Sequence, residues 1–436
     1  MKKLYGSCAI LWVAVLAGGC SPSQFIGQTA RKEILQQPEL AGAQVGISIY
    51  EPATARYLYN YQENKHFVPA SNTKLFTLYA GLKYLGDSLV ALRYRETDTA
   101  LFVLPSGDPT FLHPDYAVQP AILLLQKKKK PVHLYDNNWQ DQPLGRGWSW
   151  DDYNDDYMAE RSSLPVYGNT IRWVEDSSSA SFYSLPDINW PVRFTNDTTR
   201  KTFFVQRDRN ENIFEITEGK ESHRAQDVPF ITNGLASAAI LLKDTIGQPV
   251  YVTHNPHMPS SGLITLHSQP IDSLFQSMMY RSDNFFAEQT LLMVGNEHLG
   301  VMNDGKIIAS LLQNDLKELP QRPVWVDGSG LSRYNLFTPQ DFVWLLDKMS
   351  KEFGMNRMKA LLPTNGHGTL GNYYKKDSGY VYAKTGSMSG VICISGYLYT
   401  KKEKLLIFSV LVNNNIGAGT VRRRVEHLLH TIRERY

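Results

Sequence analysis

The sequence predicts an α/β (α+β) protein in which an antiparallel sheet flanked by helices is interrupted by a large, mainly β insertion. Three observations predict this class. A wide apolar helical stripe follows residue 71, three strand-like segments and a helix end the chain, and short strands separated by turns fill the middle. At 436 residues the chain is too long for one ordinary domain. We therefore expect two or three domains.

The first 20 residues have the pattern of a targeting segment. Lys2 and Lys3 precede an apolar stretch that ends in Ala17-Gly18-Gly19-Cys20. Small residues before a cysteine resemble a bacterial lipoprotein signal, in which Cys20 is lipidated and becomes the mature N-terminus. Plain secretory cleavage is the alternative. Both interpretations remove residues 1–20 from the fold and predict an exported, periplasmic protein, and the first also predicts a membrane anchor on Cys20.

Composition narrows the classes of partner. The formal net charge is +3, which gives no support to a nucleic-acid partner. The run Lys127 to Lys130 is explained better by a solvated loop or helix end than by contact with anionic lipid or a wall polymer. With Cys8 lost in the signal and Cys20 lipidated, Cys393 is alone, so we expect no internal disulfide. The sequence shows no convincing metal cluster, and we expect neither a metal nor a cofactor.

The first elements after the signal predict a helix, two strands and a second helix. Residues Gln24 to Gln37 predict a helix, Gln44 to Tyr50 alternates like a strand, and Arg56 to Asn60 predicts the returning strand. Apolar residues from Leu75 to Leu85 then cover a wide helical stripe, which predicts a buried helix that starts at Ser71. Burial would hold the first turn of that helix rigidly.

Between residues 93 and 259 the predicted elements become shorter. Short strand-like pieces there alternate with turns and polar loops, with predicted strands at Leu101–Leu104, Phe203–Val205 and Ile213–Ile216 and a predicted helix at Phe230–Ile246. We expect residues 93–259 to form one or more inserted domains. The host domain is then built from residues 24–92 and 260–436.

The last third returns to long elements. The predicted helices are Ile271–Tyr280, Phe285–Val294 and Thr338–Met349, and the predicted strands are Gly379–Lys384, Gly390–Tyr399 and Lys404–Asn413. A C-terminal helix places Val421, Val425 and further apolar residues on one face, with Arg422 to Arg424 mostly outward. Three strands followed by a helix predict an antiparallel sheet covered by helices.

The pair Ser71 and Lys74 opens the helix after residue 70. Residues three apart lie on one helical face, so the Ser71 hydroxyl and the Lys74 amine can meet. A serine hydroxyl is a poor nucleophile until a base takes its proton, and a desolvated lysine can be that base. A single Ser-x-x-Lys is a weak signal, because chance copies are common.

Two further motifs strengthen the signal. Ser282-Asp283-Asn284 lies between two predicted helices, where Ser282 could relay a proton or bond Lys74, and Asn284 could hold a substrate carbonyl or the lysine. A simple helix cap is the alternative explanation. Lys384-Thr385-Gly386 ends a predicted strand, where the glycine permits close approach of a ligand and the first two residues could bind a carboxylate. An ordinary surface strand end would also explain this tripeptide.

In this order, the three motifs resemble those of penicillin-binding proteins and β-lactamases. The gap between Lys74 and Ser282 is far longer than in compact class A β-lactamases. It resembles the class C low-molecular-mass penicillin-binding proteins, the D-alanyl-D-alanine carboxypeptidase/endopeptidase family. Further stretches that look like this family's are Ser106–Thr110, Gly147–Asp152, His267–Pro270, Asp327–Arg333 and Gly366–Leu370.

Two stretches depart from the family's pattern, and neither belongs to the catalytic set. No arginine follows Thr369-Leu370, where the family pattern leads us to expect one, and residues 172–205 match weakly. The resemblance implies a β-lactamase/transpeptidase-like domain and a serine acyl-transfer enzyme without metal. In a turn rich in glycine, His367 is better explained by a structural role than by catalysis.

The resemblance also implies a role for each motif residue. Lys74 would deprotonate Ser71, and Ser282 would pass a proton to the leaving amine. The implied substrate-binding residues are Asn284 for the amide, Lys384 and Thr385 for the terminal carboxylate, Gly386 for close approach, and the N–H groups of Ser71 and Ser387 for the oxyanion. The implied substrates are peptidoglycan stem peptides, with β-lactams as covalent inhibitors.

Three other functions compete with this prediction. A β-lactamase would use the same motifs but release the drug quickly, and the long insertion argues against it. A catalytically silent wall-binding lipoprotein would not need three intact motifs. An esterase with the same triplet is the third alternative. The sequence does not separate carboxypeptidase from endopeptidase activity.

Overall fold

The computed structural model describes residues 22–176, 181–195, 199–217, 225–253, 262–375 and 379–436, so the predicted signal and Cys20 lie outside the described residues. The helices are α1 (Pro22–Ala30), α2 (Lys74–Tyr84), α3 (Pro120–Lys128), α4 (Ala236–Ile246), α5 (Ile271–Arg281), α6 (Asn284–Leu299), α7 (Asp304–Gln313), α8 (Pro339–Phe353), α9 (Met355–Leu361) and α10 (Ala418–Arg435). Within the described residues, no helix is both long and apolar enough to span a membrane.

The strands comprise an N-terminal pair, a long middle series and a C-terminal triplet. They are β1 (Gln44–Glu51), β2 (Arg56–Tyr61), β3 (Ser88–Glu96), β4 (Leu101–Pro105), β5 (Val132–Leu134), β6 (Thr170–Asp176), β7 (Ser181–Leu185), β8 (Val192–Thr195), β9 (Phe204–Arg207), β10 (Phe214–Thr217), β11 (Gln226–Pro229), β12 (Val250–Val252), β13 (Ile264–Pro270), β14 (Val381–Met388), β15 (Val391–Tyr399) and β16 (Leu405–Asn413). This mixed α/β content confirms the predicted fold class.

The first sheet joins the two ends of the chain. Its order is β14-β15-β16-β1-β2, and every neighbouring pair is antiparallel. Successive side chains of a strand point to opposite faces. In β15, Ile392 and Ile394 therefore pack with α1 and α10, whereas Val391 and Cys393 pack in the core with α2 and α8. The sheet is covered on both faces, and β14 forms one of its edges.

The middle of the chain forms a separate apolar core. A second five-stranded sheet has the order β12-β5-β4-β3-β13, and two three-stranded sheets, β8-β10-β9 and β11-β6-β7, lie beside it. Their buried side chains, with those of α3 and α4, form one cluster distinct from the cores around the first sheet. Strand β3 crosses residue 93 and β13 lies beyond residue 259. The division of the chain at these two residues stays a prediction.

Some predicted boundaries are wrong in an instructive way. Residues Ala70–Thr73 form a 3-10 turn, and the α-helix begins only at Lys74. Ala70, the residue before Ser71, has a left-handed φ of 47°. The predicted helix from Phe230 begins at Ala236. Strand β14 continues past Lys384 to Met388, because its ladder with β15 runs to the tight turn between them.

The lysine run lies where a helix ends. Lys127 and Lys128 close α3, which confirms the interpretation as a helix end. Lys128 and Lys130 both form ion pairs with Glu96. The run is therefore partly neutralised within the molecule.

Candidate active site

The fold brings Ser71 and Lys74 together at the start of α2. The Lys74 Nζ donates to the Ser71 Oγ at 3.0 Å. It also donates to the Asn284 Oδ1 at 2.7 Å and to the Ser329 carbonyl at 2.8 Å. Lys74 is fully buried. Three acceptors thus fix its amine beside the serine hydroxyl.

The electrostatic surroundings of Lys74 suit a base. Burial lowers the pKa of Lys74 to about 8, and the negative charges of Asp327, Glu288 and Asp283 partly oppose that shift. Removing a charge from water disfavours the ammonium form. A lysine with this pKa is partly neutral near physiological pH and can accept a proton from a hydroxyl within hydrogen-bond distance.

The second motif occupies the short connection between α5 and α6. Ser282 takes a left-handed φ of 61° and ends α5, and the Asp283 carboxylate caps α6 by accepting from the Phe286 N–H at 2.9 Å. Asn284 is the first residue of α6, and its amide also donates to the Tyr157 carbonyl at 3.2 Å. The capping role that competes with a functional one therefore belongs to Asp283, and Asn284 remains directed at Lys74.

The third motif meets the second through Lys384. The Lys384 Nζ donates to the Ser282 Oγ at 2.9 Å and to the Thr385 carbonyl at 2.8 Å. Lys384 is fully buried, and burial, with the nearby charge of Lys74, holds its pKa well below the usual value. Of the two roles predicted for Ser282, a bond to Lys74 is not the one that the structure has, because the bond comes from Lys384. The hydroxyl of Ser282 thus connects the two halves of the site.

Two glycines, Gly386 and Gly330, allow their strand and loop to pack closely against the backbone of the turn that carries Ser71. A Cβ on Gly386 would lie 2.6 Å from the Pro69 carbonyl oxygen and 3.1 Å from the Ser71 nitrogen. Gly330 has a φ of +83°, and a Cβ there would lie 1.9 Å from the Ala70 carbonyl oxygen. Only glycine fits such contacts. The close approach expected at Gly386 is made by the turn that carries Ser71.

Ser71 opens into two cavities. One, of about 480 Å³, has Ser71, Ser282, Thr385, Ser387 and Arg422 among its lining residues, together with residues of the turn around Thr369. The other, of about 550 Å³, is lined by Ser71, Asn284, Ser387, Tyr157, Arg333 and neighbours. Ser282 and Thr385 face the first of these spaces, Asn284 faces the second, and Ser71 and Ser387 face both. A peptide on either side of its scissile bond would have room.

Sequence reasoning missed the loop that holds Lys74 from behind. The Asp327 carboxylate accepts from the N–H groups of Gly330 at 2.8 Å and Ser332 at 2.6 Å, which shapes the loop that presents the Ser329 carbonyl. Trp148 donates its indole N–H to the same carboxylate at 3.0 Å. Asp327 and Trp148 both lie in stretches that carried the family resemblance, which was the available signal for them.

A buried ion cluster lies behind the loop of Ser329, whose carbonyl accepts from Lys74. Arg161 contacts the carboxylates of Asp304 at 2.6 Å, Asp141 at 2.9 Å and Glu288 at 3.3 Å. The other oxygen of Glu288 accepts from the Ser329 N–H at 2.7 Å. Burial, together with Asp327, raises the pKa of Glu288 to about 7. Nothing in the sequence pattern pointed to Arg161.

The remaining residues considered in the sequence analysis are His367, Cys393 and Ser387. His367 is exposed and lines neither cavity beside Ser71. Cys393 is buried in β15, and burial raises its pKa to about 12, so its thiol stays protonated. Among the described residues, no group of three or more His, Cys, Asp or Glu side chains could hold a metal ion. Ser387 accepts a hydrogen bond from Arg422 at 2.7 Å.

The fold and the three motifs define a serine peptidase of the penicillin-binding class. The chain belongs to the D-Ala-D-Ala carboxypeptidase 3 (S13) family, whose sequence profile matches residues 28–433. The predicted class C low-molecular-mass penicillin-binding protein is confirmed, and so is the predicted function of a serine DD-carboxypeptidase/endopeptidase.

Individual relatives agree with this family. A D-alanyl-D-alanine carboxypeptidase of Actinomadura sp. (strain R39) is 26% identical over 438 residues, which cover 88% of this chain and 80% of the relative. The D-alanyl-D-alanine carboxypeptidase DacB of Haemophilus influenzae is 23% identical over 465 residues, covering 95% and 94%. The chain thus matches these relatives along most of their length.

Solved structures show the same fold. Penicillin-binding protein 4 (dacB) of Haemophilus influenzae superposes with a TM-score of 0.72 at 19% identity, covering 93% of this chain and 98% of that one. A predatory endopeptidase of Bdellovibrio bacteriovorus gives 0.52 at 15% identity, covering 89% and 94%. A match that covers 93% of this chain must include most of residues 93–259.

Proposed function

We propose that this protein hydrolyses the D-Ala-D-Ala bond of peptidoglycan stem peptides, or the D-alanyl cross-link between them, through an acyl-enzyme on Ser71. The observation that carries the proposal is the buried Lys74 amine, 3.0 Å from the Ser71 Oγ. Its pKa of about 8 gives a base at neutral pH without help from a histidine. The relatives' names supply the substrate class.

In the proposed acylation, neutral Lys74 accepts the Ser71 proton as the Oγ attacks the carbonyl carbon of the penultimate D-alanine. The N–H groups of Ser71 and Ser387 stabilise the oxyanion, and one such donor contributes about 3–4 kcal/mol in acyl transfer generally. Ser282 gives its proton to the leaving amine, and the proton that Lys74 took from Ser71 replaces it on Ser282, so Lys74 is neutral again before water enters. The C–N bond breaks, and the C-terminal product leaves.

Deacylation returns the enzyme to its starting state. Water adds to the acyl carbonyl and loses a proton to Lys74, the ester bond to Ser71 breaks, and the Ser71 oxygen regains its proton. Asn284 holds both Lys74 and the substrate amide in this scheme. Thr385 and Gly386 form the wall along which the substrate backbone lies. These roles are proposals for the site residues predicted from the sequence.

β-Lactams would be covalent inhibitors of the same serine. The Haemophilus influenzae protein has also been solved in complex with a β-lactam, and its fold matches this chain with a TM-score of 0.68. We expect a fluorescent penicillin to label the protein and the Ser71→Ala variant to remain dark. Labelling of Ser71→Ala would overturn the assignment of the nucleophile.

The decisive experiment measures D-alanine release. The chain from Ser21 onward is incubated with a pentapeptide ending in D-Ala-D-Ala and, in parallel, with a cross-linked muropeptide dimer, with Ser71→Ala as the control. Release from the pentapeptide that the control lacks establishes the carboxypeptidase, and cleavage of the dimer establishes the endopeptidase. No product from either substrate, in a protein that still binds penicillin, would refute catalysis and favour a wall-binding role. Drug turnover within seconds would favour a β-lactamase.

We also propose that the protein is exported to the periplasm and anchored by lipid on Cys20. The support is the sequence of residues 1–20, with its lysines, apolar stretch and small residues before Cys20. Metabolic labelling with a radioactive fatty acid should mark the wild-type protein and not Cys20→Ala. Secretion of an unlabelled, processed wild-type protein would show plain cleavage instead.

A further inference from the structure

The motif lysine does not present its amine to the cavities beside Ser71. Lys384 is fully buried and lines none of the cavities beside Ser71. Its amine is already committed to the Ser282 hydroxyl and the Thr385 carbonyl. The burial that lowers its pKa also favours the neutral amine. Thr385 does face the cavity of about 480 Å³, but a hydroxyl carries no charge.

Arg422, in the first turn of α10, faces that same cavity. It lines the space together with Ser71, Ser282 and Thr385. Its guanidinium donates to the Ser387 hydroxyl at 2.7 Å. Thr385 and Ser387 are two residues apart in β14, so their side chains share one face of the strand. The guanidinium and two hydroxyls therefore converge on one end of the cavity.

The charge of Arg422 is not neutralised within the described part of the chain. Its neighbour Arg423 pairs with Glu426 at 2.6 Å, and Arg424 pairs with Glu39 at 2.8 Å. By contrast, Arg422 has no carboxylate partner among the described residues, and none of the residues that line the cavity is an Asp or a Glu. Arg422 is half-buried at the edge of the cavity, which agrees with the mostly outward placement predicted for the three arginines. A positive, polar end of a cavity beside a serine nucleophile suits an anion.

We propose that Arg422 binds the C-terminal carboxylate of the substrate, with Thr385 and Ser387 as hydroxyl donors beside it. The identity of the substrate rests on the proposed function. A guanidinium presents parallel N–H groups that match a carboxylate. Arg422 would release the Ser387 hydroxyl, or share it, when the carboxylate enters. In this arrangement Lys384 holds the Ser282 hydroxyl for proton transfer, and Arg422 selects free carboxyl ends.

The test compares an acid and an amide substrate. Wild type, Arg422→Ala and Arg424→Ala are assayed on a pentapeptide ending in D-Ala-D-Ala and on the same peptide with a C-terminal carboxamide. Loss of a charged hydrogen-bonding partner should lower kcat/KM of Arg422→Ala about 10- to 100-fold for the acid, mainly through KM, and leave the amide unchanged. Arg424→Ala, whose arginine pairs with Glu39 away from the cavity, should match wild type on both. Arg422→Lys keeps the positive charge but loses the planar pair of N–H donors. It should therefore retain part of the preference for the acid that Arg422→Ala loses.

Two outcomes would overturn the inference. Full preference for the acid in Arg422→Ala would show that the carboxylate binds elsewhere, and equal losses on acid and amide would show a structural role. A second experiment measures the rate at which penicillin and penicillin methyl ester acylate Ser71 in the same variants. It does not depend on peptide hydrolysis. If wild type releases no D-alanine, the proposed function fails. The acylation rates still decide whether Arg422 recognises a carboxylate.

Discussion

At the scale of single residues, the site depends on two lysines that are both removed from water. Lys74 keeps three hydrogen-bond acceptors and nearby carboxylates, whereas Lys384 has a hydroxyl and one carbonyl. Carboxylates stabilise the charged form of an amine, so the two lysines differ in how far burial lowers their pKa. Two side chains of one type thereby acquire different protonation behaviour within one cleft.

The pKa of Lys74 gives a pH dependence. We expect kcat/KM, which reports the free enzyme, to rise with pH about a midpoint near 8, because only neutral Lys74 accepts the Ser71 proton. Lys74→Ala should fold and lose turnover. Steady-state kinetics between pH 5 and 10 test both statements. A flat profile in wild type, or near-normal turnover in Lys74→Ala, would contradict the assignment of the base.

The same group links stability to pH. The folded pKa of Lys74, about 8, lies below that of an exposed lysine. The unfolded chain therefore binds more protons between about pH 8 and 10.4, and the contribution of Lys74 to the free energy of unfolding rises with pH through that window. Below pH 8 both states hold the proton and the contribution is constant. The difference between wild type and Lys74→Met in urea unfolding should show this slope.

At the scale of elements, the sequence predicted the existence of most helices and strands but not how their ends meet. Strong apolar periodicity located β1, β16 and the start of α6 closely, and it identified the buried face of α10. The exact start of α2 was not predictable, because the turn before it packs closely against the backbone of Gly330, which is distant in sequence. Short elements such as β5 and α9 were missed, since too few residues carry their pattern.

The edge of β14 provides a test of this close packing. Gly386→Ala should lower the rate of penicillin acylation at least 10-fold, because the new methyl group would press on the Pro69 carbonyl and the Ser71 nitrogen, and a misplaced nucleophile reacts slowly. Gly419→Ala is the matched control, since a Cβ there meets nothing within 4 Å and alanine favours the helix. An unchanged rate of acylation in Gly386→Ala would show that the turn around Ser71 shifts to accommodate the methyl group without displacing the nucleophile.

At the scale of the whole molecule, one buried ion cluster joins the two regions into which the sequence divides the chain, residues 93–259 and the rest. Arg161 and Asp141 come from residues 93–259, and Glu288 and Asp304 come from α6 and α7. Partners this far apart in sequence leave no local pattern, so neither the cluster nor its path to Lys74 through Ser329 could be predicted. The motif residues were predictable because each motif is local and recognisable.

Removing Arg161 should therefore destabilise the protein as a unit. Arg161→Met leaves three carboxylates near one another without their cation, which typically costs about 3–5 kcal/mol of the free energy of unfolding. Arg172→Met removes a half-exposed pair with Asp227 and should cost about 1 kcal/mol or less. Urea unfolding followed by tryptophan fluorescence measures both. Similar, small losses in the two variants would show that the cluster does not join the two regions.

The long reach of the contacts around Lys74 has a consequence for how the protein matures. Asn284 and Ser329 lie 210 and 255 residues along the chain from Lys74, and Gly386, which closes on the Ser71 turn, follows them in sequence. A growing chain thus carries Ser71 long before it carries the groups that make the hydroxyl reactive. Until the last strands are synthesised and paired, Ser71 lacks the surroundings that make its hydroxyl reactive. A penicillin should therefore label Ser71 only in fully folded molecules.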